Sequence, residues 1–296
     1  MAATTDSIPR PAQHYRVPEL LQDIRLLDLL ELSGTTLQAS GVLSLSQPTV
    51  SRRYRALARD FGLQQNQRLR HGCRYGATAT MQLLRLACRS HRLEAGVARI
   101  GGDLLHQHLL AGITWLLPVP VRFRSVEAWL ELVRQGVLDG ALVSGLELQQ
   151  LRPLAGSELQ LLPVGRMPLA LGSCCSGRPG TSATPSTVLV PHRGVALGLQ
   201  RALASQGLSL RPVGNNCHSP EQWLQRLADG SSAMVISPAA PITTAWAEPL
   251  QLRPLPSPLI SPVWLALPQG WEAAALLVRS LEQLRAQVAG DYAARA

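Results

Sequence analysis

The sequence predicts an α/β fold class: an N-terminal winged helix-turn-helix, one linker helix, and a C-terminal α/β domain divided into two lobes. Three features predict it: closely spaced helical patterns in residues 19–60, a proline-free amphipathic stretch at residues 77–97, and short β-rich runs alternating with helices in residues 98–296. Such alternation is typical of a largely parallel sheet covered by helices. With 296 residues, 46% of them hydrophobic, the chain has enough apolar surface for two domains.

The predicted organisation has four parts. Residues 1–18 hold three prolines among polar neighbours, which predicts a flexible arm. Residues 19–76 form the winged helix-turn-helix, residues 77–97 the linker or dimerisation helix, and residues 98–296 the two-lobed domain.

Two helices open the helix-turn-helix. Apolar side chains at helical spacing predict a first helix between residue 19 and a break at residues 33–34. These side chains are Leu20, Ile24, Leu27 and Leu30. Thr35 or Thr36 is placed to cap a short second helix over residues 37–43, because a hydroxyl oxygen can accept a hydrogen bond from the first turn.

The third helix, residues 47–57, is the most informative element. Ser46 can accept hydrogen bonds from the N–H groups of its first turn, and Pro48 fits a first-turn position where its missing N–H costs nothing. Its buried stripe, at i, i+4 and i+7, is formed by Val50, Tyr54 and Leu57. The opposite face is polar and cationic, which is typical of a helix that enters a DNA groove.

Positive charge is concentrated near this helix. The chain has a net charge of +9 and no lysine, and residues 47–75 contain seven arginines against one acidic residue, Asp60. Such a cluster indicates a polyanionic partner, here double-stranded DNA, and Gly72 could reverse the following polar stretch into a two-stranded wing. The predicted DNA contacts are Ser46, Gln47, Pro48, Thr49, Ser51, Arg52, Arg53, Arg55, Arg68, Arg70 and Arg74.

Two other interpretations of this region stay open at this point. The Ser-Gln-Pro start is also compatible with a capped surface helix that binds nothing, although that interpretation does not explain the arginine cluster. Arg52 and Arg53 are compatible with contacts to phosphates alone. If four arginines contact phosphates, the slope of log K on log salt should be roughly −3 to −4.

The pattern of residues 77–97 predicts one long helix with an apolar side that can pack against another helix. One apolar line consists of Met81, Leu84 and Cys88, and a second line beside it consists of Leu83, Leu86 and Ala87. A plain core helix remains an alternative. We expect a dimer seam, because a helix-turn-helix protein gains affinity by pairing two half-sites.

The remaining residues predict strands and helices in turn. Expected strands are 97–101, 119–123, 141–144, 159–164, 169–172, 187–190, 210–213, 233–237 and 263–267, and expected helices are 104–110, 126–134, 194–206, 220–229 and 271–289. Two such groups indicate two lobes rather than one.

Residues 21–57 resemble the winged helix-turn-helix of the LysR-type transcriptional regulators. The spacing matches without a gap through the Ser33-Gly34 break, Ala39, and the run Ser-Gln-Pro-Thr-Val-Ser at residues 46–51. Weaker similarity lies at residues 99–101, 139–143 and 230–238.

This resemblance implies a DNA-binding domain, a dimerising linker helix and a two-lobed domain similar to periplasmic binding proteins, with an effector between the lobes. It also implies a homodimer or homotetramer. Only 17 residues separate Gly101 from Val119, fewer than in the family, which predicts a short first helix in the first lobe. A polar Gln65-Asn66 replaces the family's apolar pair, which predicts a wing that packs differently.

Effector contacts are expected outside the carboxyl ends of the strands. The candidates are Gly102, Asp103, Ser144, His192, Arg193 and Ser237. Arg193 could hold an acidic effector or lie in an exposed loop, whereas Asp103 would oppose a carboxylate. The charge of the effector therefore stays open.

Composition argues against several other classes of protein. No apolar run of about 18 residues could span a bilayer, and residues 1–18 lack a secretory signal pattern, so we expect a cytoplasmic protein. Five cysteines without a C-x-x-C pair predict reduced thiols, although the vicinal Cys174-Cys175 pair leaves redox sensing as a minor alternative. No catalytic motif, metal site or cofactor is predicted, because the two histidines of His106-x-His108 lack a third ligand.

The alternative to a regulator is a small-molecule-binding protein with the shape of a periplasmic binding protein. In that protein the helix-turn-helix would serve oligomerisation or protein interaction. Preference for specific over random DNA distinguishes the two functions.

Overall fold

The computed structural model describes residues 9–66, 72–102, 105–149, 158–174, 187–192, 194–214, 220–228, 230–239 and 250–293. The helices are α1 (Gln22–Ser33), α2 (Thr36–Leu43), α3 (Gln47–Asp60), α4 (Ala79–Glu94), α5 (Gln107–Leu110), α6 (Val126–Arg134), α7 (Gly145–Leu148), α8 (Leu197–Ala204), α9 (Pro220–Leu227) and α10 (Ala275–Ala293). The strands are β1 (Ile100–Gly101), β2 (Gly140–Ser144), β3 (Leu159–Cys174), β4 (Thr187–Val190), β5 (Leu210–Pro212), β6 (Ser232–Ile236), β7 (Leu250–Arg253) and β8 (Leu259–Pro268).

The predicted helix-turn-helix is confirmed in α1 to α3. Gly34 adopts a left-handed conformation with φ of 76° and ends α1, Thr35 caps α2, and the Ser46 hydroxyl caps α3. α3 runs to Asp60, three residues beyond its predicted end. Leu20 does not belong to the buried face of α1, because it lies in a 3-10 turn before the helix and is 91% exposed.

From Leu26 to Ser33, every residue of α1 is buried. Ile24, Leu27 and Leu30 pack into the core of the helix-turn-helix. Leu29 and Leu32 instead pack against Trp129 and Leu130 of α6 and other apolar side chains of the C-terminal domain. Apolar side chains on both faces of α1 are thus covered by different domains, so α1 joins the two.

The C-terminal domain contains a mixed sheet in the order β1-β2-β8-β3-β6-β4-β5, with β7 paired to β3. The long strand β3 pairs with β8 along residues 159–169 and with β6 and β7 beyond them. It therefore connects lobe 1, built on β1, β2 and α5 to α7, with lobe 2, built on β4 to β7, α8 and α9.

The expectation of a largely parallel sheet is wrong. The pairs β1-β2, β4-β5 and β4-β6 are parallel, but β3 and β8 are antiparallel to each of their neighbours. Sequence periodicity divided residues 159–172 into two strands, whereas one strand with a bulge between Pro163 and Gly165 spans both lobes.

Residues 119–123 do not form the predicted strand. Ala98 pairs instead with the segment before them: its N–H donates to Trp115 O at 3.1 Å and its carbonyl accepts from Leu117 N at 2.8 Å. Pro118 and Pro120 lack the N–H groups that a paired strand needs. The predicted short first helix of lobe 1 is confirmed, since α5 has four residues.

Residues 9–18, the described part of the predicted arm, are fixed to the body of the protein. Arg10 N donates to Gly96 O at 3.0 Å and Ala12 N to Thr114 O at 2.8 Å. The Tyr15 hydroxyl lies 3.1 Å from His91 Nδ1 of α4. These residues therefore contact the body of the protein, and the flexibility of residues 1–18 stays a prediction. Among the described helices, none is long and apolar enough to cross a bilayer.

Candidate functional site

The polar start of α3 is held firmly. Ser46 Oγ accepts from Thr49 N at 3.3 Å and lies 2.8 Å from Thr49 Oγ1. Gln47 Nε2 donates to Thr36 Oγ1 at 3.2 Å, which ties α3 to the first turn of α2. The predicted stripe is buried: Val50, Tyr54 and Leu57. The opposite face remains free to meet a partner.

The arginines of α3 differ in what they contact. Arg52 and Arg55 are exposed. Arg53 instead donates from Nε to Asp23 Oδ1 of α1 at 2.8 Å, and its Nη2 contacts the same oxygen. Of these predicted DNA contacts, Arg53 alone is thus partly neutralised by a carboxylate in the described part of the chain.

The base of the wing is anchored to α1 by Glu31. The buried carboxylate accepts from Arg74 N at 2.8 Å and from Tyr75 N at 2.7 Å. Burial raises the pKa of Glu31 to about 7, against the opposing effects of Arg85 and of these two hydrogen bonds. Asn66 N donates to Arg74 O at 2.8 Å, so the two sides of the wing lie together. The predicted contacts Arg68 and Arg70 lie outside the described residues.

A groove of about 640 Å³ lies beside α3, and we call it the α3 groove. Its walls include Thr36, Ser51 and Arg55 from the helix-turn-helix, Arg74 from the wing, and Arg122 from lobe 1. Hydroxyl groups and guanidinium groups are the donors that bind phosphate oxygens, so the groove suits a polyanion.

A second cavity, of about 600 Å³, lies where both lobes meet the wing, and we call it the lobe cavity. Arg74, Arg122 and Arg124 line it together with Glu147 and His192. Among the predicted effector contacts that lie in the described residues, His192 is the one that lines the lobe cavity.

The other effector candidates lie elsewhere. Gly102 is buried against His106, Leu110 and Leu142. Ser144 Oγ lies 2.7 Å from Ser261 Oγ, and Ser237 Oγ accepts from Ala239 N at 3.3 Å. These three do not line either cavity. Asp103 and Arg193 lie outside the described residues.

Arg122 and Arg124 were not predicted, although they cap the end of α1. Arg122 Nη1 donates to Ser33 O at 2.7 Å, and Arg124 Nη2 donates to Glu31 O at 2.6 Å and Leu32 O at 2.7 Å. The last carbonyls of a helix have no partner within it and attract cations. The alternating Arg-Phe-Arg pattern at residues 122–124 was the available signal, but it does not indicate which helix the arginines meet.

A buried ionic network joins α1, α4 and lobe 1. Asp28 of α1 accepts from Arg85 Nε at 3.0 Å and from Arg99 Nη1 at 3.1 Å. Asp139 accepts from Arg92 Nη2 at 2.6 Å and from the Arg99 backbone N–H at 2.6 Å. Burial alone would raise the pKa of Asp139, but Arg92 and its neighbours lower it overall.

The described cysteines are structural. Burial raises the pKa of Cys73 to about 12 and that of Cys88 to about 11, so both thiols stay protonated. Cys174 is half-buried, while Cys175 and Cys217 lie outside the described residues. Across the described ranges, no group of three or more His, Cys, Asp or Glu side chains is arranged to hold a metal ion.

Comparison with solved structures finds several that are similar to this chain. CbnR, described as a LysR family transcriptional regulator, is 13% identical, with a TM-score of 0.50 over 90% of this chain and 99% of CbnR. ArgP from Mycobacterium tuberculosis is 18% identical, covering 90% of this chain and 97% of ArgP with a TM-score of 0.48. An OxyR mutant from Corynebacterium glutamicum is 17% identical, covering 95% and 94% with a TM-score of 0.48.

The similarity to CbnR confirms the predicted fold class for the chain as a whole. Because the two sequences are only 13% identical, the similarity to CbnR concerns the fold alone. No protein-family model and no curated protein matches the sequence.

Proposed function

We propose that the chain is a sequence-specific DNA-binding transcriptional regulator of the LysR type. The observation that carries this proposal is α3, which is capped by Ser46, anchored by a buried stripe, and exposed along a face with Gln47, Arg52 and Arg55. An α-helix about 10–12 Å wide fits a major groove about 12 Å wide. The fold shared with CbnR, itself described as a LysR family regulator, supports the proposal.

In this function residues 47–57 read base edges, and the surrounding cations bind the DNA backbone. The polar side chains at the start of α3 lie nearest the base edges, because recognition helices use their N-terminal residues. Arg55 and Arg74 line the α3 groove, where they meet phosphates. Arg68 and Arg70 are proposed as further contacts to the DNA backbone on the basis of the sequence.

Regulation is proposed to involve a small-molecule effector and an oligomer. The lobe cavity, with His192 on its wall, has the volume of an ordinary small-molecule site. The exposed side of α4 carries Leu83 and Leu86, which are 68% and 39% exposed, and supports a homodimer or homotetramer.

Selection of bound duplexes from a random DNA pool tests this function directly. We expect the selected duplex to bind about 1,000-fold more tightly than random DNA at physiological salt. Equal affinity for both would refute the proposal. It would favour the alternative, a small-molecule-binding protein whose helix-turn-helix serves interaction with proteins.

A further inference from the structure

Three arginines converge where the wing, the end of α1 and lobe 1 meet. We call Arg74, Arg122 and Arg124 the arginine cluster. Arg74 and Arg122 line both the α3 groove and the lobe cavity, whereas Arg124 lines the lobe cavity and not the groove. Arg55 lines the groove and not the lobe cavity. One set of positive charges is therefore shared by two neighbouring cavities.

Among the described residues, the positive charge of the cluster is only weakly compensated. In the described part of the chain none of its three guanidinium groups forms a salt bridge. The nearby Glu31 carboxylate attracts Arg124, but both its oxygens already accept backbone N–H groups of the wing. Arg124 Nε is buried and, within the described residues, has no hydrogen-bond partner. An anion would compensate this buried charge.

Mutual repulsion within the cluster supports this conclusion. Burial and then the charge of Arg74 lower the pKa of Arg122. Burial and then the charge of Arg122 lower the pKa of Arg124 to about 9. Both shifts mean that the positive form is less stable in the cluster than in water, and a bound anion would oppose that effect.

The other walls of the lobe cavity are compatible with an anion. Its two acidic residues are Glu127, which is exposed, and Glu147. Glu147 accepts from Gly198 N at 2.9 Å and from Leu199 N at 2.8 Å, so its charge is compensated at the start of α8. Ser125 caps α6 beside the arginines, and the N–H groups of a first helical turn favour negative charge.

We propose that the arginine cluster binds a small dianion that carries phosphate or carboxylate groups, and that this anion weakens DNA binding. The anion enters through the lobe cavity and engages Arg74 and Arg122, which would otherwise meet DNA phosphates from the α3 groove. The effect is reciprocal, because DNA must lower the affinity for the anion by the same factor. Anion binding deepens the effector site proposed for the lobe cavity, and its effect on DNA rests on the proposed DNA-binding function.

Calorimetric titration of the full chain without DNA tests the site itself. The probes are inorganic pyrophosphate and succinate, added at constant ionic strength. We expect saturable binding of at least one probe, and an affinity at least about tenfold lower in Arg124→Met, as for other lost charged hydrogen bonds. Arg55→Met is the matched control and should bind the probe as the wild type does. No saturable binding, or equal binding by Arg124→Met, overturns the proposal.

Arg124 also caps α1, so Arg124→Met could unfold the protein. Arg74→Met provides the second variant, since the hydrogen bonds that fix Arg74 in the structure involve its backbone N–H and carbonyl groups. It should lower the affinity for the probe while the thermal unfolding midpoint stays near that of the wild type. Unchanged affinity in a folded Arg74→Met protein overturns the proposal.

Fluorescence anisotropy with the selected duplex tests the effect on DNA. Saturating probe should raise the Kd for DNA about fivefold or more in the wild type. Arg124→Met should bind DNA like the wild type and lose the effect of the probe. Arg55→Met should bind DNA more weakly than the wild type, and the probe should still raise its Kd for DNA. An effect of the probe that persists in Arg124→Met overturns the proposal.

The calorimetric and anisotropy experiments distinguish a site for a small anion from a contact with DNA phosphates. They also distinguish failure of this proposal from failure of the proposed function. If neither probe binds but Arg124→Met weakens DNA binding, the cluster contacts DNA phosphates and the small-anion site is refuted. If the wild type shows no preference for any duplex, the proposed function fails, while the calorimetric titration still decides the anion site.

Discussion

At the scale of single residues, Glu31 links the wing to the first helix. Its backbone carbonyl accepts from Arg124, and its carboxylate accepts from Arg74 N and Tyr75 N. The side chain is 4% exposed, and burial raises its pKa to about 7. The position of the wing therefore depends on a group that titrates near neutral pH.

This raised pKa predicts a pH dependence of stability. Between about pH 4.5 and about pH 7 the folded state holds the Glu31 proton more strongly than the unfolded state does. The free energy of unfolding should therefore fall as pH rises through this window, by roughly 3 kcal/mol in total, and level off above it. Urea unfolding across the window measures this trend.

Glu31→Gln is the control for this prediction, because it lacks the titrating group. Burial lowers the pKa of His108 to about 4, which gives a slope of opposite sign in an overlapping window. Since His108 is present in both proteins, the difference between wild type and variant isolates Glu31. A difference that does not change with pH would contradict the prediction.

Arg53 and Arg55 allow a matched test of the DNA contacts. Arg55 is exposed, whereas Arg53 is paired with Asp23. Arg55→Met should make the slope of log K on log salt shallower by about 1, because one phosphate contact is lost. Arg53→Met should change the slope by less than half as much. Equal changes would mean that Asp23 releases Arg53 when DNA binds.

At the scale of elements, α4 has one face that is buried in the protein and one face that is exposed. Met81, Arg85 and Cys88 are buried towards α1, whereas Leu83 and Leu86 face solvent. The sequence predicted both apolar lines but not which of them the chain itself covers. We propose that the exposed line packs against a second copy of the chain.

This exposed line predicts the site of dimerisation. Leu83→Glu combined with Leu86→Glu should convert the proposed dimer to a monomer, since each buried apolar anchor lost costs about 2 kcal/mol or more. Sedimentation velocity gives the oligomeric state. Leu37→Glu on α2 is the control, because Leu37 is 67% exposed, against 68% for Leu83. A dimer that survives the double substitution would exclude α4 as the seam.

At the scale of the whole molecule, the helix-turn-helix and lobe 1 form one packed unit. Leu29 and Leu32 of α1 share a core with α6, and Asp28 bridges Arg85 of α4 to Arg99 of lobe 1. α1 therefore contacts lobe 1 directly, through apolar side chains and through a buried ion pair.

Removing the charge of Asp28 should uncouple the two domains. Asp28→Asn leaves Arg85 and Arg99 buried without a carboxylate partner and should cost roughly 3–5 kcal/mol. All six tryptophans lie between residues 115 and 271, so tryptophan fluorescence reports on the C-terminal domain. We expect circular dichroism and fluorescence to give one urea transition for the wild type and separate transitions for the variant.

Asp23→Asn is the control, on the same helix. Its ion pair with Arg53 is partly exposed, and such pairs contribute about 1 kcal/mol or less. If Asp28→Asn unfolds like Asp23→Asn, with coincident transitions, the network does not couple the domains.

The sequence by itself determined the elements whose signals are local. Ser46 caps α3 through a bond to Thr49, three residues away, and the buried stripe repeats within one helix. Gly34 ends α1 because a left-handed residue is needed there. Caps and periodicity act over a few residues, so they can be read along the chain.

Only the tertiary structure decided which groups meet across the chain. Arg122 and Arg124 reach α1 from about 90 positions away, as Arg99 reaches Asp28 across 71. An arginine in the sequence carries its charge but not the identity of its partner, because burial and pairing arise when distant elements pack. The capped helix α3 was therefore predictable, while the arginine cluster beside it and the docking of α1 on lobe 1 were not.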